Sequence, residues 1–270
     1  MSEIQPIAEK PKGILNPKLG QQKFQLARYE PSAERMFFVE HYWTVKWDLR
    51  EQEPYRSETL PHPSIHLAIE PGVAHIVGIV TRKFSRLLQG EDWVFGIKFK
   101  PGAFYPFVQK PISEYTDKTV KLADAFGEVG ETYEAAMRAA ENDEQRVTLA
   151  EEFLRQRHPT QDENVARINE IVTAISNEHA ITKVEHLVSR FKLNKRGLQR
   201  LFSQYVGVSP KWVIQRYRLH EATAQVAAGE IVDWAKLAVE LGYFDQAHFI
   251  KDFKGMVGVT PVEYANMQHK

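Results

Sequence analysis

The chain has no cysteine. That excludes disulfides, thiolate zinc sites and cysteine nucleophiles together. It also lacks net charge, with 35 Lys and Arg against 35 Asp and Glu. Bulk electrostatics therefore point to no partner. No apolar run approaches the ~20 residues that span a bilayer. The stretch Met1–Lys12 is polar and contains Pro6 and Pro11, which is no signal peptide. A cytoplasmic protein without membrane contact is expected. No nucleophile elbow, phosphate loop or metal-ligand motif occurs, and no cofactor is expected; the chain does not read as an enzyme. Its 270 residues suffice for two domains with cores of their own.

What is present is a repeat. Leu198-Gln199-Arg200-Leu201-Phe202-Ser203-Gln204-Tyr205-Val206-Gly207-Val208-Ser209-Pro210 is followed, 51 residues later, by Phe249-Ile250-Lys251-Asp252-Phe253-Lys254-Gly255-Met256-Val257-Gly258-Val259-Thr260-Pro261. Phe202, Val206, Gly207, Val208 and Pro210 recur as Phe253, Val257, Gly258, Val259 and Pro261. A fixed offset means one supersecondary unit used twice. Upstream of the first copy, Val184, Leu187, Val188 and Phe191 share a helical face. Asn194 is a good N-cap for a second helix from Lys195 to about Tyr205. In the second copy Trp234, Leu237, Ala238 and Leu241 face inward, and Asp245 caps the next helix. Helix, short turn, helix is the helix-turn-helix motif. From Arg190 to Arg218 the chain carries Arg190, Lys192, Lys195, Arg196, Arg200, Lys211, Arg216 and Arg218 and no acid. Such a local basic patch supplies attraction to phosphates.

Residues 162–268 resemble the paired helix-turn-helix domain of AraC-family transcription regulators. The resemblance rests on Leu198–Phe202, on both Gly-Val-Ser/Thr-Pro turns, and on Gly242-Tyr243-Phe244-Asp245-Gln246-Ala247-His248-Phe249. It implies a bacterial DNA-binding regulator. It implies an N-terminal cupin-like sensing barrel for a small-molecule effector, a homodimer, and RNA polymerase as a further partner. The lack of cysteine rules out the alkyl-transfer chemistry of DNA-repair proteins with a similar domain. The competing reading is an interaction module that has lost DNA binding.

The N-terminal half reads as strands. Val39–Leu49 alternates, with His41, Trp43, Val45 and Trp47 on one side. Ser64–Glu70, Val73–Val80, Phe84–Leu88 and Trp93–Phe99 follow, with Gln89–Asp92 read as a hairpin turn. Residues 101–160 turn helical, and Asn142 is placed to cap a helix. Residues 1–30 read as partly irregular. The expectation is an α+β chain. Residues 1–160 form a β-barrel, cupin-like sensing and dimerisation domain ending in helices. His158-Pro159-Thr160 forms a linker, and residues 161–270 form an all-α double helix-turn-helix domain.

Outward residues of the recognition helices can reach base edges. Lys195, Arg196, Gln199 and Arg200 do so in the first unit, with Lys211 and Arg218 as further DNA contacts. Arg reads guanine and Gln can read adenine. Gly197 stands where the family usually has a bulkier residue. The corresponding places of the second unit hold Gln246, Ala247, Ile250 and Lys251. Ala247 and Ile250 can only touch a thymine methyl. The second unit also carries Glu230, Asp233, Glu240, Asp245 and Asp252, so it is expected to contribute less affinity. Trp43, Trp47, His66 and Lys98 are candidates for an effector pocket. His62 and His66 would lie roughly 13 Å apart along a strand. The N-terminal histidines are therefore read as structural, with no metal.

Overall fold

A computed structural model of the chain describes residues 6–8, 13–15, 17–157, 159–227 and 233–268. Helix α1 (Pro17–Lys23) and strand β1 (Gln25–Tyr29) come first. The stretch expected to be irregular therefore already holds the edge of a sheet. Strands β2 (Val39–Leu49), β3 (Tyr55–Thr59), β4 (His66–Glu70), β5 (Val73–Val77), β6 (Phe84–Leu88) and β7 (Gly90–Phe99) follow. After helix α2 (Tyr105–Val108) and a 3-10 turn at Ile112–Glu114, β8 (Thr119–Lys121) closes the strand region.

The strands make two antiparallel sheets and no closed barrel. One has six strands in the order β1-β2-β7-β4-β5-β8, the other pairs β3 with β6. The hairpin expected at Gln89–Asp92 does not form. β6 ends on the small sheet, and β7 starts at Gly90 on the large one, between β2 and β4. The chain changes sheets there, so a turn signature marks a crossing instead of a hairpin. The alternation of β2 separates two covered faces. His41, Trp43, Val45 and Trp47 look toward the small sheet across a cavity. Tyr42 and Thr44 look the other way, donating to Glu151 Oε1 at 2.8 Å and Asp143 Oδ2 at 3.1 Å.

Those acids belong to helices that cover the outer face. Helix α3 (Leu122–Phe126) leads to α4 (Glu128–Ala139) and α5 (Asp143–Gln156). The Asn142 side chain accepts from Gln145 N and starts α5 as expected. Tyr133, Met137, Val147, Ala150, Phe153 and Leu154 are buried in the core beneath the sheet. The apolar stripes of α4 and α5 are thus covered within one chain.

The helical half runs α6 (Glu163–Asn177), α7 (Val184–Phe191), α8 (Lys195–Tyr205), α9 (Pro210–Ala227), α10 (Trp234–Glu240), α11 (Gln246–Val257) and α12 (Pro261–Gln268). His158, in the expected linker, lies outside the described residues. The change from sheet to helix near residue 160 is no break in the core. One hydrophobic cluster runs from Phe38, Phe95 and Phe104 through Ile168 and Ile171 to Leu198 and Phe202. The second helix-turn-helix unit has its own cluster, built on Phe249, Phe253 and Met256 and joined to the N-terminal half by Leu15 and Leu60.

Candidate nucleic-acid interface and ligand cavity

The two units share their cap and their closing glycine turn. In the first, the Asn194 side chain accepts from Gly197 N at 2.6 Å. In the second, Asp245 accepts from His248 N at 2.7 Å. Each cap holds a helix N-terminus in place. Gly207 and Gly258, at the same place in the repeat, both adopt the left-handed φ that a side chain would oppose, at 91° and 92°. Leu198, Phe202 and Tyr205 of α8 face the core, as do Phe249, Phe253, Met256 and Val257 of α11. That leaves the opposite faces outward. Lys195, Arg196, Gln199 and Arg200 are exposed on α8. Lys195 reaches Glu185 at 2.8 Å, both in water, so the pair holds it only weakly. On α11, Gln246, Ala247 and Lys251 are exposed and Ile250 is half-buried. Lys211 is exposed near the start of α9.

Arg218 is elsewhere. It is 1 % exposed. Its guanidinium donates to Ile175 O and Glu178 O at the end of α6 and pairs with Glu221 at 3.0 Å. It therefore caps α6 and does not face DNA. Arg216 is also withdrawn from the basic patch, at 3 % exposure. Arg190 pairs with Glu178. Counting charges along the sequence overstates the patch because α9 turns one face inward.

The first unit is fastened to the N-terminal half. The Thr116 hydroxyl donates to Gly207 O at 2.7 Å. Gln204 Nε2 donates to the Tyr105 hydroxyl at 2.8 Å, and the Tyr105 and Tyr205 rings meet at 4.3 Å between centroids. Tyr205 donates in turn to Asp162 at 2.7 Å.

Between the two sheets, α6 and α9 lies a cavity of about 1080 Å³. Trp43, Trp47, His66 and Lys98 all line it. Its apolar end also has Phe24, Val45, Leu88 and Val94. Trp43 lies flat against β7 because Gly96 has no side chain; a Cβ there would sit 2.0 Å from the indole. The polar end is built by register. His41 and His66 are the cross-strand partners of Lys98 on its two sides. A register shift between Val39 and His41 turns Glu40 to the same side, where it accepts from Lys98 at 2.8 Å. The other wall is Arg216 of α9. Its Nε donates to Pro61 O at 2.6 Å and its Nη2 to His62 Nδ1 at 2.8 Å.

These histidines stay neutral. Burial, then Lys98, holds His41 down to about 4 against the opposing pull of Glu40. Burial, Lys98 and His41 hold His66 down to about 3. Burial and Arg216 push His62 well below its usual range. Burial also lowers Lys98, partly offset by Glu40. His66 Nδ1 accepts from the Trp43 indole at 3.3 Å. Its proton is then on Nε2. The His62 ring accepts from Arg216 Nη2, which lies 2.8 Å from Nδ1 and 3.2 Å from Nε2. His66, Lys98 and Arg216 therefore offer donors, and Glu40 already accepts from Lys98. The sequence marked Lys98 and His66 but missed Glu40 and Arg216. The first depends on a strand irregularity and the second comes from the other half of the chain.

Residues 187–267 match the family described as "Helix-turn-helix domain". With the repeat, caps and turns above, this decides the domain. Residues 187–267 form an AraC-type helix-turn-helix domain. Residues 27–121 match a domain of unknown function, DUF6597. The chain is similar to an uncharacterized HTH-type transcriptional regulator of Haemophilus influenzae, with 30% identity over 81 residues. That match covers 30% of this chain and 27% of the relative, so the chain spans about a quarter of that relative's length. Among solved structures, apo ToxT of Vibrio cholerae aligns over 95% of this chain and 96% of its own, at 15% identity and a TM-score of 0.38. ToxT with an unsaturated fatty acid bound aligns over 91% and 92%, at 13% identity and TM-score 0.38. No described helix is long and apolar enough to cross a membrane.

Proposed function

We propose that this chain is a cytoplasmic, sequence-specific DNA-binding transcription regulator controlled by a small molecule. Residues 161–270 bind DNA through α8 and α11; residues 1–160 provide most of the sensing cavity. One observation carries the reading. The single helix α9 joins the two recognition units, and its Arg216, Tyr217 and His220 form part of the cavity wall. A ligand there touches the rod that spaces the two DNA readers. That rod is roughly 27 Å long at 1.5 Å per residue. Successive major grooves on one face of B-DNA lie about 34 Å apart, so small changes at α9 decide whether both units seat together.

The cavity's donors favour a ligand with an anionic, acceptor-rich head and an apolar body resting on Trp43 and Trp47. The reading includes a homodimer; a monomer by light scattering at tens of micromolar, with and without DNA, removes that part. The test of the whole is selection from random duplex DNA, followed by a salt series. A regulator enriches a motif and weakens steeply as salt rises. No enrichment, with salt-independent binding, leaves an interaction module instead.

A further inference from the structure

The repeat allows residue-by-residue comparison of the two units, and one pair stands apart. Leu193 and Phe244 occupy the same place, directly before the capping Asn194 and Asp245. Leu193 is half-buried against the first unit's core. Phe244 is 92% exposed. Solitary exposed apolar residues are ordinary. Phe244 is not solitary: it stands in the turn directly before the Asp245 cap of α11, and with Ala247, exposed in the first turn of that helix, it makes a short apolar row. The equivalent places in the first unit hold Leu193 and Arg196.

The location restricts what can cover this row. The N-terminal residues of a recognition helix enter the major groove and meet base edges. The Asp245 cap fixes that end. Asp245 is also the acid nearest the row, and its side chain accepts from His248 N. The next, Asp252, accepts from Gln215 at 2.6 Å and faces His248 at 3.5 Å. Lys251 and Lys254 are exposed further along α11, as suits a surface approached by phosphates. In the major groove the apolar feature a phenyl ring can meet is the thymine C5 methyl.

We infer that Phe244 is a specificity-determining residue that packs on a thymine methyl, so that the second unit reads DNA by apolar contact where the first reads it by hydrogen bonds. This rests on the DNA-binding reading above. Phe244 makes no core contact, so its replacement leaves the fold intact.

The test uses the full chain and a site obtained by selection from random duplex DNA. Thymines in the half-site under α11 are replaced one at a time by deoxyuridine, which removes only the methyl. At one position the wild-type chain is expected to lose roughly fourfold in affinity, the value of one buried methyl. Phe244→Ala should lose a similar factor on the thymine site and become indifferent to deoxyuridine at that position. Phe244→Leu should keep part of the discrimination. Indifference of the wild type to every such replacement overturns the inference. So does a Phe244→Ala variant that discriminates as well as the wild type. Either leaves the DNA-binding reading standing, whereas failure to enrich any site removes both.

Discussion

In the first helix-turn-helix unit the outer places of α8 hold Arg196, Gln199 and Arg200. In the second the same places hold Ala247, Ile250 and Lys251. The cap hydrogen bonds, at 2.6 and 2.7 Å, and the glycine φ values, at 91° and 92°, nearly coincide. One backbone therefore carries two kinds of surface. The attachment differs as well. The first unit shares its core with the sheet and is held by Thr116, Tyr105 and Asp162. The second keeps its own core and meets the N-terminal half through Leu15 and Leu60. A duplicated fold thus has one copy that shares the sheet's core and shows a polar outward face, and one with its own core and a less polar face.

The sharpest way to break this contrast is through the cores. Phe202→Ala and Phe253→Ala each empty a fully buried site and should cost about 3–5 kcal/mol. Phe202→Ala should destabilise the sheet as well as the first unit. Phe253→Ala should raise hydrogen exchange in α10–α12 and leave β2 and β7 protected. Equal loss of protection across the chain in both variants would show that the two units are one cooperative body.

Acidification should separate the same regions. His41 and His66 lie on the sheet that shares the first unit's core, with folded values of about 4 and 3. Both lie below the unfolded value near 6.5, so the unfolded chain takes up protons first as pH falls. Their contribution is full above about pH 6.5 and is lost progressively towards pH 4, by up to about 3 kcal/mol for His41 alone. Chemical denaturation of wild type and His41→Gln between pH 7 and 4 checks this. The variant's stability should fall less steeply, and parallel curves would count against the assignment.

On DNA, Arg200→Ala should cost about 1–3 kcal/mol and relax one base pair, and Lys251→Ala should cost less. The reverse order in a binding titration would make the second unit the anchor. The smallest effect expected is for Lys211→Ala. It should weaken all sequences alike and lower the salt slope by about one.

The helical half was largely legible because its signals are local. Caps at Asn142, Asn194 and Asp245, the helix from Pro210, and the spacing of Leu198, Phe202 and Tyr205 each act within a few residues. The sheets were less so. Alternation in β2 shows that two faces differ, yet not that α5 covers one and a cavity the other. Gln89–Asp92 has turn chemistry, but strand partners are chosen by distant residues, and β7 goes to β2 and β4. Charge misled for the same reason. Arg216 and Arg218 adjoin the exposed cations in sequence but lie on the inward face of α9, so they serve the cavity and the end of α6. Trp43, Trp47, His66 and Lys98 could be found from strand patterning alone. Glu40 needed a bulge and Arg216 needed the packing of the two halves.

Gly96 has a further consequence. The wall of the cavity is set there by a missing methyl, which lets the Trp43 indole rest on the strand. Adding that methyl must tip the indole into the space a ligand would fill. A single-nucleotide change can convert a glycine codon to alanine. The shape of this cavity is therefore open to alteration in one mutational step, at a strand position away from α8 and α11.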